Sequence, residues 1–238
     1  ALVIAYRSDD EAQVRELNAL KCRTHVSLDG LDETGQKQLL ESMAGPLPTE
    51  AVELIAKLAD GSPFMAAAML RGMVESGVLI AESDGWKVVA SEIKKLRSSG
   101  HSVEILARRL SLLHPETARF LQAAAILGKE FPFELAAELS GLKINHALQA
   151  FDEAKSRHLL WINSDGVTCS FIHDKIRETL LEGLSQTQKR ELHIAAAAAI
   201  QNRSPEACFD LAFHYHAGGE VVHALPPALE AAATARTM

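Results

Sequence analysis

The apolar positions along the chain change their period several times. Residues 2–6, "LVIAY", form one unbroken apolar run of strand length, the pattern of a strand covered on both faces. It ends at "YRSDD", a polar loop with cap-forming residues, which predicts a helix carrying Val14 and Leu17. A second short strand is expected around Thr24–Leu28. Strand, helix and strand in such close succession predict the edge of a parallel sheet, the rest of which is expected upstream. From Leu31 to about Ser76 the spacing becomes helical: Leu39, Leu40 and Met43, then Val52, Leu54, Ile55 and Leu58, then Met65, Met69, Leu70 and Met73. The turn signals "GPLP" and "DGSP" separate these groups, so a small helical bundle is predicted. "GVLIAESDGWKVV" follows, two β-rich arms around Ser83-Asp84-Gly85 that predict a hairpin.

The basic, Gly-Ser stretch "KKLRSSGHS" marks a boundary. Beyond it, helices are expected near 103–113, 115–127, 133–139 and 144–157. "LLWINSDGVTCSFI" then predicts a second hairpin turning at Ser164-Asp165-Gly166. Helices closed by a hairpin follow the winged-helix order. Residues 186–201 and 205–217 predict Ala-rich helices, and "HALPPALEAAATAR" begins another. Small residues at helix contacts suit an α-helical repeat array.

Composition narrows the function. The chain has 238 residues, 47% of them hydrophobic, which is ample for real cores. A formal net charge of −7 opposes nonspecific binding to nucleic acid or an anionic membrane, which needs clustered positive charge. No apolar run approaches the ~18–20 residues that span a bilayer, and no signal peptide is evident; a cytoplasmic location is expected. Cys22, Cys169 and Cys208 are too few and too widely spaced for a disulfide framework or a zinc knuckle, so buried thiols are expected.

The motifs of strong catalytic sites are missing. There is no G-x-x-x-x-G-K-[ST], so the segment lacks the loop whose amides and lysine hold a triphosphate. G-x-S-x-G, H-E-x-x-H and C-x-x-C are also absent, and no catalytic residue is assigned. His214 and His216, with His223 nearby, invite a metal reading, but His-x-His on a helix sets its rings ~200° apart; no metal site is assigned. Arg7 follows a buried strand, where α/β folds bring side chains to a ligand crevice; composition alone favours a surface arginine that caps a helix or pairs with Asp9 or Asp10. Gly61 and Pro63 flank a helix start, which a turn with an early proline also explains. In "SFIHDKIRETL", Ile172, Ile176, Leu180 and Leu184 form a core face, while His173 and Arg177 share the adjoining one. His173 at a helix beginning is placed either to approach a phosphate or to staple the hairpin to the helix.

Taken in order, "LVIAYRSDD", "LADGSPFMAAAMLRGMVESGVL", "DGWKVV", "LSLLHPETARFLQAAAILGKEFPFELAAELSG", "FIHDKIRETLLEGL" and "LAFHYHAGGEVVHALPPALEAAATAR" resemble the downstream part of STAND-class (AAA-like) signalling ATPases. The similarity is to the bacterial branch found in LuxR-type regulators, multidomain kinases and class III adenylyl cyclases, and it covers essentially the whole chain. It implies a mainly α protein in four segments. Residues 1–30 are C-terminal strands of an incomplete P-loop ATPase core, and 31–100 a helical lid with hairpin. Residues 101–185 form a winged helix, and 186–238 the beginning of TPR-like repeats. The resemblance also implies roles. Arg7 matches the sensor arginine that faces the terminal phosphate, Gly61 and Pro63 the Gly-x-Pro of the lid, and His173 with Asp174 the His-Asp of the winged-helix sensor motif. Ser62 replaces the usual asparagine of the lid, Ala66-Ala67-Ala68 replace the acidic residues that commonly follow it, and Ile172 stands where related switches often carry methionine.

The function so implied is a nucleotide-dependent switch relaying a signal to an output domain. ATP or ADP with magnesium is expected in the full-length parent and none in this segment. The expected partners are the upstream ATPase core and a protein or output domain reached through the repeats. Two alternatives remain: a winged-helix transcription regulator, and a helical-repeat interaction scaffold. Residues 101–185 carry nine Lys/Arg against eleven Asp/Glu, a net of −2, which is poor footing for phosphate contacts on DNA.

Overall fold

The computed structural model describes residues 3–4, 24, 26–83, 85–93 and 102–236. Three helices open the described chain: α1 (Glu33–Ala44), α2 (Thr49–Ala59) and α3 (Pro63–Glu75), followed by the hairpin of β1 (Leu79–Glu82) and β2 (Gly85–Val88). Asp32 starts α1, its carboxylate accepting from the Gly35 amide at 2.7 Å. The apolar stripes close on Leu40, Ile55, Met69, Met73 and Leu79, all buried. Trp86 pins the hairpin to this bundle by donating its indole N–H to the Ala44 carbonyl at 2.8 Å.

A second unit comprises α4 (Ser102–Ser111), α5 (Pro115–Leu127), β3 (Glu130–Pro132), α6 (Phe133–Leu139), α7 (Ile144–Ser156), β4 (Leu160–Ile162), β5 (Thr168–Phe171) and α8 (Asp174–Glu182). Its strands form an antiparallel sheet in the order β3-β5-β4. Asp165 shapes the β4–β5 turn by accepting from the Val167 and Thr168 amides, both at 2.9 Å. Phe120, Phe131, Phe133, Phe151 and Phe171 fill the core with tilted and edge-on rings whose centroids lie 5.6 to 6.5 Å apart, the geometry aromatic quadrupoles favour.

The last three helices are α9 (Gln186–Arg203), α10 (Cys208–Gly218) and α11 (Val221–Ala235). A reciprocal Ser185–Gln188 capping box starts α9, satisfying two amides that would otherwise lack partners. Small residues allow close packing: Ala196, Ala197 and Ala199 are buried, and a Cβ added at Gly218 would lie 2.7 Å from Ile194 Cγ1. Arg203 reaches back to Glu134 and Glu138 of α6 at 3.2 and 2.6 Å.

The architecture is mainly helical, and both described sheets are antiparallel. The helical groups and both hairpins fall where the pattern placed them. The parallel sheet edge expected in residues 1–30 does not appear among the described residues. Most of that segment, including Val14 and Leu17, lies outside them. Val3, Ile4, Val26 and Leu28 are exposed and in no strand. The basic boundary stretch also lies mostly outside the described residues. Strand β3 was not anticipated, since three residues are too few to show alternation. Cys169 and Cys208 are buried free thiols, and burial pushes Cys169 up to about 11. Cys22 lies outside the described residues. No described helix is long and apolar enough to cross a membrane.

Candidate functional site

The start of α3 is built by the "DGSP" turn. Asp60 and Gly61 take positive φ, 46° and 76°, reversing the chain out of α2. Gly61 accepts from the Leu31 amide at 2.8 Å, and a Cβ there would meet the Gly30 Cα and the Leu31 carbonyl oxygen at 3.2 Å. Glycine is therefore required for both conformation and space. Ser62 caps the helix, its hydroxyl accepting from the Met65 amide at 3.3 Å. Pro63 occupies the first turn, where its lost N–H had no helical partner.

The next residue makes the decisive contact. The Phe64 ring stacks on the His173 imidazole, with centroids 3.9 Å apart and planes 10° from parallel. Phe64 packs against both large cores, that of α1–α3 and that of the β3-β5-β4 unit.

His173 is the N-cap of α8, with extended backbone at φ −151° and ψ 145°. Its Nδ1 accepts from the Lys175 amide at 3.1 Å, so the neutral ring carries its proton on Nε2 and presents a donor there. Asp174 occupies the first turn of α8 and pairs with Lys129 at 3.3 Å, a favourable position for negative charge against the helix dipole. Arg177 turns inward and donates Nε–H to the Ala125 carbonyl at 2.8 Å; burial lowers its pKa. Ile176, Leu180 and Leu184 are buried and Ile172 half-buried, as the four-residue recurrence predicts.

A second contact joins the same two units. Arg109 of α4 is 2% exposed, and its guanidinium donates to both Glu75 carboxylate oxygens at 2.9 and 3.3 Å and to the Arg157 carbonyl. Arg157 lies 3.0 Å from Glu153 and 3.8 Å from Glu75, and the Thr117 hydroxyl donates to Glu153. Glu75 is the last residue of α3.

A third cluster lies between α9 and α10. His193 Nδ1 and His214 Nδ1 stand 2.9 Å apart, and the Phe213 ring lies edge-on to both imidazoles. His214 is 2% exposed. Burial, then His193, then Arg177 push it down to about 4, and burial and Arg177 also lower His193. Both rings are neutral near neutrality, so one Nδ1 donates and the other accepts. His216 is exposed on the other side of α10, and His223 pairs with Glu220 at 3.1 Å.

Of the residues singled out in the sequence, Gly61 and Pro63 set the backbone that carries Phe64 onto His173. Arg7 lies outside the described residues. Phe64 was missed because its role is tertiary. Arg109 left a trace: Leu106, Arg109, Leu110 and Leu113 share one helical stripe, which marks the arginine as inward-facing. Among the described residues no group of three or more His, Cys, Asp or Glu is arranged to hold a metal ion. What this junction offers chemically is hydrogen bonding and ring contact. A scan against protein-family models finds no match, and a search of curated proteins finds no significant relative.

Proposed function

We propose that this chain is the regulatory part of a STAND-class signalling ATPase, in which nucleotide state governs how a helical lid and a winged helix close over an ATPase core. In this reading α1–α3 with the β1–β2 hairpin are the lid, α4–α8 with the β3-β5-β4 sheet are the winged helix, and α9–α11 begin a TPR-like array that relays the signal to an output domain. The observation that carries it is the Phe64–His173 stack, in which the residue following the Gly-x-Pro turn touches the histidine of the His-Asp pair. Two segments far apart in sequence, each matched to a nucleotide-facing motif, meet at one point.

The residues suit that task. With Nδ1 engaged by the α8 amide, Nε2–H is the donor, and a donor at a helix N-terminus suits a phosphate oxygen. Phe64 fixes the ring plane, and Pro63 and Gly61 fix Phe64. The bound nucleotide supplies the phosphate charge that makes one arrangement of the modules preferable to another. A ligand reverses a 1:99 equilibrium only if it favours one state by ~5.5 kcal/mol, a magnitude several phosphate contacts supply together. Arg7 is assigned to the core side of the same phosphate. Magnesium and the phosphate loop belong to the upstream core, as the donor chemistry here fits neither.

The test uses the intact parent and a fluorescent ADP. His173→Ala is expected to speed ADP dissociation about tenfold, the loss of roughly one charged hydrogen bond. Arg7→Ala is expected to weaken retention of ATP more than of ADP. ADP dissociation unchanged by His173→Ala, in a variant with an unaltered melting temperature, refutes the assignment.

A further inference from the structure

A cavity of about 430 Å³ opens where the C-terminus of α1, the outer face of α3 and strand β2 converge, within the ~300–1,000 Å³ typical of small-molecule sites. Its walls are mostly carbon: Met43, Ala44, Leu70, Val74 and Trp86. The Trp86 N–H is already engaged by the Ala44 carbonyl, so the indole offers hydrocarbon surface. Two charged residues, Arg71 and Glu75, complete the lining.

These charges are not equivalent. Glu75 holds Arg109 through both oxygens and lies 3.8 Å from Arg157, and Arg157 is also paired with Glu153. Three guanidiniums thus share two carboxylates. Among the described residues Arg71 is the member without an ion pair. Burial and then the neighbouring Arg109 lower its pKa, and Glu75 raises it; Arg71 thus has a carboxylate nearby that is already held by Arg109 and, among the described residues, no ion pair of its own. An anion arriving there would neutralise the excess charge, and an apolar body attached to it would cover Trp86, Leu70 and Val74.

We propose that this cavity binds a small amphipathic carboxylate, with its carboxylate on the Arg71 guanidinium and its aromatic or aliphatic body against Trp86, Met43, Leu70 and Val74. This site is independent of the nucleotide assignment. It lies on the α3 face beside Glu75, so a ligand there adjoins the Glu75–Arg109 contact.

The chain contains two tryptophans, and Trp161 is 53% exposed. A Trp161→Phe background therefore leaves Trp86 as the sole tryptophan, read by excitation selective for indole. Phenylacetate, 4-phenylbutyrate and octanoate are titrated against their matching alcohols, with calorimetry on the unsubstituted chain as a second readout. At least one acid is expected to give a saturable change and to bind about tenfold more tightly than its alcohol, the value of one charge-assisted pair. Arg71→Gln is expected to abolish that preference. Val74→Glu, at a position already 40% exposed, places a carboxylate one turn from Arg71 in the apolar wall; it is expected to weaken both ligands, and the acid more than its alcohol. The proposal is overturned if no acid binds saturably below about 10 mM. It is equally overturned if acid and alcohol bind alike, or if Arg71→Gln leaves the preference intact.

Discussion

Acidification is expected to loosen α10 from α9 by charging a pair of imidazoles that the fold holds neutral. His214 has an ordinary pKa of 6.5 and stands at about 4 in the folded chain. Its facing partner His193 is also lowered, and Arg177 adds positive charge to both. The fold favours the neutral ring, so the contribution to stability is complete above about pH 6.5. It declines as the pH falls from about 6.5 toward 4, where the unfolded chain binds a proton that the folded chain resists, and it levels off below that. At about 1.4 kcal/mol per pH unit, the interval between the two values amounts to about 3 kcal/mol. Carboxylates titrate in the lower half of this range, so the effect is isolated by comparison with His214→Gln, which keeps an amide to hydrogen-bond His193 but has no titration. Urea unfolding of both proteins from about pH 7 to about pH 4 should show the unsubstituted chain losing about 3 kcal/mol more than the variant. Parallel curves for the two proteins would refute the account, as would a His214 ring proton signal that titrates near 6.5.

The contacts between and within units give further expectations. Arg109→Met leaves Glu75 without its main partner and should destabilise by about 3–5 kcal/mol in urea unfolding; adding Glu75→Leu should restore much of that loss. Phe64→Leu keeps apolar volume but removes the ring stack, and should cost about 0.5–1.5 kcal/mol by the same measurement. Gly218→Ala drives a methyl toward Ile194 Cγ1, 2.7 Å from the ideal Cβ position, and should cost about 1–3 kcal/mol. Ile194→Ala in that background, which removes the Cγ1 atom, should recover part of it.

The elements whose signals are local were legible in the sequence. The "DGSP" turn announces its own helix through a left-handed glycine, a capping serine and a first-turn proline. The four-residue recurrence from Ile172 to Leu184 marks the buried side of α8 without reference to any neighbour. The junctions were not legible for the converse reason. Nothing in the neighbourhood of Phe64 distinguishes it from a core aromatic until His173 is brought beside it. Similarly, His193 and His214 sit on separate helices whose register is set by Ala and Gly packing, and His214 drew attention only as one half of a His-x-His. Strand β3 exists because β5 offers an open edge, a tertiary opportunity that "EFP" alone does not advertise. Most of the initial apolar run lies outside the described residues.

Helix α3 touches the second unit at Phe64, its second residue, and again at Glu75, its last. Eleven residues separate the two points, about three full turns, so both side chains emerge on nearly the same flank some 16 Å apart. A rod fastened at two places along one flank cannot swivel about either of them. The first two units are thereby braced against twisting, and any rearrangement between them has to release an aromatic stack and a buried ion pair together.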